Sequence, residues 1–112
     1  MVRKAQKNEL LPGTLEMLIL HSLAGGARHG YGIAQHIQEI SDEVLQVEEG
    51  SLYPALQRLL VKGWVKAEWG TSENNRRARY YTLTAAGRKQ LGIEAENFSR
   101  VVRAIARVIE TA

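Results

Sequence analysis

The stretch EEGSLYPALQRLLVKGW, residues 48–64, decides how the chain is read. Leu52, Leu56, Leu59 and Leu60 recur at the spacing of one helical face. Pro54 lies inside that run, although an interior proline removes a backbone hydrogen bond and crowds the preceding turn. The conflict resolves if Ser51 is the N-cap. Pro54 is then the third helical position, where its missing N–H has no intrahelical partner. The stretch predicts a helix that starts abruptly at Ser51 and stops at Gly63. Its leucines face inward, and Ser51, Tyr53, Gln57 and Arg58 face out.

Upstream, Pro12-Gly13 closes a polar leader, and Thr14 caps a helix through Leu15, Leu18, Ile19 and Leu23 that Gly25-Gly26 ends. A second helix begins near Gly30, with Ile33, Ala34, Ile37 and Ile40 on one face. Ser41 to Gln46 is a short connection. Downstream of Gly63 the period drops to two. WVKAEW and RARYYTL read as strands, and the polar turn GTSENNR between them makes a β-hairpin. Thr84 then caps a long last helix in which Gly87 and Gly92 are weak points. The expected fold is mainly α with a small β-hairpin: a winged helix-turn-helix plus a C-terminal dimerisation helix. Residues 1–13 form a flexible basic leader, 14–84 the winged domain and 85–112 the dimerisation helix.

The 112 residues suffice for one small domain with one core. There is no cysteine, which removes disulfides, thiolate metal sites and cysteine nucleophiles and suits a reducing cytoplasm. The basic start has no apolar stretch behind it that would serve as a signal peptide. The most apolar run, Leu15 to Leu23, is broken by Glu16 and His21 and is too short to span a bilayer. The expectation is a cytoplasmic protein with no membrane segment.

Net charge is +3, but it is unevenly spread. Residues 11–50 hold Arg28 against six acids, whereas residues 51–89 hold eight bases against Glu68 and Glu73. Such asymmetry points to a polyanion facing one part of the domain. In a winged helix the third helix enters the DNA major groove, and its N-terminal residues meet base edges. Gln57 and Arg58 are shaped to read adenine and guanine. At the hairpin tip Asn74 and Asn75 bring two amides beside the three guanidiniums of Arg76, Arg77 and Arg79, like charges that a phosphate backbone would neutralise. Arg79 is expected to pair with Glu68 across the strands, leaving Arg76 and Arg77 as the better phosphate contacts.

The last helix carries a seam of seven-residue repeats. Leu91, Phe98 and Ile105 form one row, Val101 and Val108 a second, and Ala95, Val102 and Ile109 a third; Arg100, Arg103 and Arg107 lie off it. A stripe of that period packs against another helix with a similar stripe, and three short helices offer little surface to cover it. A second copy of the chain is the expected partner.

HGYGIAQHI, GSLYPALQRLLVKGWV and RRARYYTLTAAGRKQL together resemble the PadR family of bacterial transcriptional regulators, from about Leu15 to Leu91. EWGTSENNRRARYYTLTAAGRKQL is similar to the short, acidobacterial-type branch of that family. The resemblance implies a winged-helix homodimer that binds an inverted repeat in double-stranded DNA and usually represses nearby genes. It implicates Ser51, Tyr53 and Pro54 at the start of the recognition helix. It also places His29 and Tyr31 near the DNA backbone, the arginines before Tyr80-Tyr81 in the wing, and the C-terminal helix at the dimer interface. Some family members take a small hydrophobic effector at that interface, in one kind against a tryptophan of the last helix. Here that helix has Phe98 as its one aromatic, and Trp64 and Trp69 both lie on the first wing strand, so a pocket of the drug-binding kind is not expected; a small hydrophobic effector is left open as a partner, and no cofactor is predicted.

The sequence supports neither a metal site nor an enzyme. His21, His29 and His36 recur every seven residues, but the Gly25-Gly26 break separates them and no HExxH-type spacing occurs, so no metal site is predicted. Ser51 and Ser72 lack the surroundings of a nucleophile elbow and no phosphate-cradling loop is present, so no enzyme is predicted. The rival reading is a winged-helix protein-interaction module without sequence-specific DNA binding.

Overall fold

The computed structural model describes residues 12–111. Four helices and a three-stranded antiparallel sheet follow in the order α1 (Pro12–Ser22), β1 (Arg28–His29), α2 (Gly30–Ile40), α3 (Glu49–Val61), β2 (Val65–Thr71), β3 (Arg77–Leu83) and α4 (Ala85–Glu110). Helix α1 already includes Pro12 and Gly13, so the last two residues assigned to the leader are helical. The rest of that leader, residues 1–11, lies outside the described residues.

One core joins the elements. Ile19 and Leu20 of α1, Leu23 in the turn just past it, Ile33 of α2, and Leu52, Leu56 and Leu59 of α3 are its most deeply buried large side chains. Val65, Tyr81 and Leu83 close it from the sheet. The leucines of α3 thus face inward as their spacing requires.

The start of α3 departs from the expectation. Glu48, extended at φ −89° and ψ 149°, is the N-cap without a side-chain cap bond, and its carbonyl accepts from the N–H groups of Ser51 (3.0 Å) and Leu52 (2.9 Å). Ser51 is therefore the third helical residue, not the cap, and Pro54 is the sixth. The carbonyl that Pro54 leaves without an i+4 donor belongs to Gly50, which is exposed, so water can take the lost bond. The far end behaves as read. Gly63, at φ +76°, follows the Lys62 C-cap, with Gly63 N–H donating to the Leu60 carbonyl (3.0 Å) and Trp64 N–H to that of Leu59 (3.1 Å). These are the two bonds of a Schellman stop, which needs a left-handed residue.

The sheet order is β1-β3-β2. The hairpin was expected; β1 was not. Arg28 and His29 pair with Tyr81 and Tyr80. Arg28 Nε donates to the Ser22 carbonyl at the end of α1 (2.8 Å), which fixes the strand against that helix. In the hairpin Trp69 lies opposite Arg79, and Glu68 opposite Tyr80. Because side chains alternate between faces, Glu68 and Arg79 point to opposite sides of the wing, and the expected Arg79–Glu68 pair does not form.

Thr84 caps α4 as read, its hydroxyl oxygen accepting from Gly87 N–H (3.0 Å). The same hydroxyl donates to the Gly63 carbonyl (2.7 Å), and Thr84 N–H donates to that of Trp64 (3.1 Å). Gly87, expected to be a weak point, is where α4 presses on this segment: a Cβ there would stand 1.9 Å from the Trp64 carbonyl oxygen. Leu91 packs on the core and Glu94 and Ala95 are still half-buried; beyond them, among the described residues, α4 is largely exposed. Its 26 residues extend about 39 Å. Phe98, Val101, Val102, Ile105, Val108 and Ile109 are 41–70% exposed along it.

Candidate nucleic-acid interface

His29 begins the site. It is the N-cap of α2, its Nδ1 accepting from Gly32 N–H at 3.0 Å. A ring nitrogen that accepts carries no proton, so this cap uses the imidazole as a neutral acceptor. The ring stacks beside Tyr31 (centroids 6.4 Å apart) and meets Tyr80 edge to face (5.4 Å). Its neighbour Gly30 is buried under Tyr53 of α3, where a Cβ would lie 2.9 Å from the phenol oxygen. Partial burial, then Glu49 and then Tyr81, raise the Tyr53 pKa above its ordinary value, so the ring meets this junction as a neutral phenol.

Around α3 the outward residues divide by angle. Gly50, Pro54, Gln57 and Val61 form the face opposite the core, and all four are exposed. Tyr53 flanks this face on the α2 side; Ser51, Arg58 and Lys62 flank it on the α1 side. There Arg58 Nε (3.1 Å) and Lys62 Nζ (2.7 Å) both donate to the Glu16 carboxylate of α1, whose side chain is only 8% exposed. Arg58, read as a base reader, is held at the helix flank in this ion pair, its side chain 43% exposed. Gln57 is the long polar side chain at the centre of the outward face.

The wing contributes one mixed face. Val65, Ala67, Trp69 and Thr71 share it with Leu83, Tyr81, Arg79 and Arg77. Near the domain this face is core; toward the tip it becomes aromatic and cationic. The Arg77 guanidinium lies 4.6 Å from the Trp69 ring centroid and that of Arg79 5.9 Å from Tyr81. The tip is closed by a turn in which Asn75 is left-handed (φ +56°) and its N–H donates to the Ser72 carbonyl (2.9 Å). Asparagine tolerates that conformation, so Asn75 has a turn-forming role of its own.

Between the start of α2 and the wing lies an open groove of about 760 Å³. It brings together His29, Tyr31, Tyr53, Arg76, Arg77 and Arg79, residues separated by up to 50 positions in the chain. Ser51, Pro54, Gln57, Arg58 and Asn75 do not line it; of these Pro54 and Gln57 stand on the adjoining outward face of α3. The sequence reading missed Trp69, Gln35 and His36 in its lining. Trp69 carried a usable signal, its alternation with Val65 and Ala67, but the strand pattern alone gave it a half-buried place. No group of three or more His, Cys, Asp or Glu residues suited to a metal ion occurs among the described residues.

Three helices, a helix-turn-helix pair within them and a two-stranded wing define a winged helix-turn-helix. The family model described as "Transcriptional regulator PadR-like family" matches residues 19–93, and the chain belongs to that family. It is a family of transcription regulators, not of enzymes. A 37.1 kDa protein of transposon TN4556 from Streptomyces fradiae is 39% identical over 97 residues, 87% of this chain and 26% of that one. A transcriptional regulator from Clostridium thermocellum superposes with a TM-score of 0.76 at 30% identity, covering 85% of this chain and 89% of the other. PadR of Bacillus subtilis, solved in complex with operator DNA, shares the fold at a TM-score of 0.65 and 24% identity, over 73% of this chain and 46% of that one. Among the described residues no helix is long and apolar enough to cross a membrane.

Proposed function

We propose that the protein is a homodimeric repressor that binds an inverted repeat in double-stranded DNA. The single observation that carries the reading is the junction of two surfaces: the outward face of α3 with Gln57 at its centre, and the arginine-lined groove beneath the wing. The first suits base edges in a major groove, where a glutamine pairs with adenine. Arg76 and Arg77 suit the flanking phosphates. The operator complex of the Bacillus subtilis relative supports the assignment. The apolar stripe of α4 supports a second copy of the chain as partner, because its seven-residue repeat is self-complementary and, among the described residues, no element of its own domain covers it. α4 offers Phe98 alone as an aromatic platform, so the reading includes no effector pocket built on a tryptophan of that helix.

Selection of random duplexes by the purified protein at about 150 mM salt, where phosphate-only binding is weak, tests this. The expected product is a palindrome with half-sites about one helical turn apart. A pool without enrichment would instead favour the protein-interaction module.

A further inference from the structure

We propose that Trp69 is a positioning residue for DNA binding, holding the Arg77 guanidinium ready for the duplex. The inference rests on the reading of the chain as a DNA-binding regulator.

Trp69 is 61% exposed near the end of β2, where the wing has left the core. Its ring lies beneath Arg77, diagonally across the ladder, with Arg79 directly opposite. Arg76 follows in the turn, and Glu73 is the one acid between Gly70 and Arg79. Among the described residues, none of the three guanidiniums makes an ion pair with an acid. A stack on the indole face satisfies only the face of the guanidinium, since its five N–H donors lie in the plane and stay available. An unbraced arginine surrenders rotamer freedom when it meets a phosphate. Trp69 removes much of that freedom beforehand and holds the charge where the groove opens. It therefore strengthens binding through Arg77 and contributes no sequence preference of its own.

The test is a double-mutant cycle read by anisotropy of a labelled mixed-sequence duplex of about 25 base pairs, long enough for two half-sites. The proteins are wild type, Trp69→Ala, Arg77→Ala and the double variant. Trp69→Ala is expected to weaken binding about fivefold and Arg77→Ala about tenfold. The double variant should match Arg77→Ala, because a brace has no effect without the group it braces. Trp69→Phe, which keeps an aromatic face, should retain near wild-type affinity, while Trp69→Leu, which keeps only apolar bulk, should behave as the alanine variant. The Leu and Phe pair decides the matter should the alanine variant disturb the hairpin. Unchanged affinity in Trp69→Leu, or losses that add in the double variant, would overturn the inference while leaving DNA binding intact. Failure of the wild-type protein to bind any duplex would sink the DNA-binding reading and this inference with it.

Discussion

Gly87→Ala sets two effects of opposite sign against each other, and magnitude decides between them. Within a helix the substitution is favourable by up to about 1 kcal/mol, since glycine gives up more backbone freedom on folding. Here, however, the new Cβ would stand 1.9 Å from the Trp64 carbonyl oxygen, where real contacts stay beyond 3.0 Å. The obstacle is backbone, so relief requires moving the start of α4 away from residues 63–64. That movement lengthens both bonds anchoring the helix, Thr84 N–H to the Trp64 carbonyl and Thr84 Oγ1 to the Gly63 carbonyl. Each is worth about 1 kcal/mol, and overpacking adds about 1–3 kcal/mol. The net expectation is a loss of roughly 2–4 kcal/mol, or about 8–20 °C in Tm for a domain of this size. Calorimetry of both proteins at one concentration measures it, because the Tm of an associating protein depends on concentration. A Tm equal to or above that of the wild type would mean that helix propensity wins and that the contact at Gly87 is not as tight as described.

Two further outcomes follow from the ion pairs and the seam. Arg58→Ala or Lys62→Ala alone leaves Glu16 one cation and should cost about 1 kcal/mol or less, whereas the double variant strands a buried carboxylate and should cost about 3–5 kcal/mol in urea unfolding; small, additive losses would show that Glu16 does not depend on them. Phe98→Asp with Ile105→Asp places charge in the middle of the α4 stripe and should yield monomers in sedimentation velocity; a mass of two chains would rule out the seam as the interface.

Most of the helical framework was legible because its signals are local. Thr84 and Gly63 sit at the ends they were expected to mark, and the leucines of α3 face the core at their helical spacing. What escaped depends on partners distant in sequence. Strand β1 is two residues long, too short for alternation, and exists only because Tyr80 and Tyr81 pair with it. Arg58 looked free because its partner Glu16 lies 42 residues away. Gly87 read as a weak helix position because a glycine chosen for close approach looks the same in sequence as one tolerated for nothing. The early start of α3 carried no cap signal, since Glu48 makes no side-chain cap bond. The groove was legible as a set of residue types, but only the β1–β3 pairing brings His29 and Tyr31 beside the wing arginines.

The salt dependence of duplex binding tests the central claim most directly. If the wing and the outward face of α3 hold DNA, log K for the wild-type protein falls linearly with log salt between about 50 and 200 mM, by about 0.9 for each phosphate neutralised. Arg76→Ala with Arg77→Ala should lower that slope by about two per chain and weaken all duplexes alike, while Gln57→Ala should leave the slope in place and narrow the preference for the selected operator by about 1–3 kcal/mol. A flat salt profile for the wild type, or an operator preference untouched by Gln57→Ala together with a slope untouched at the wing, would contradict the account.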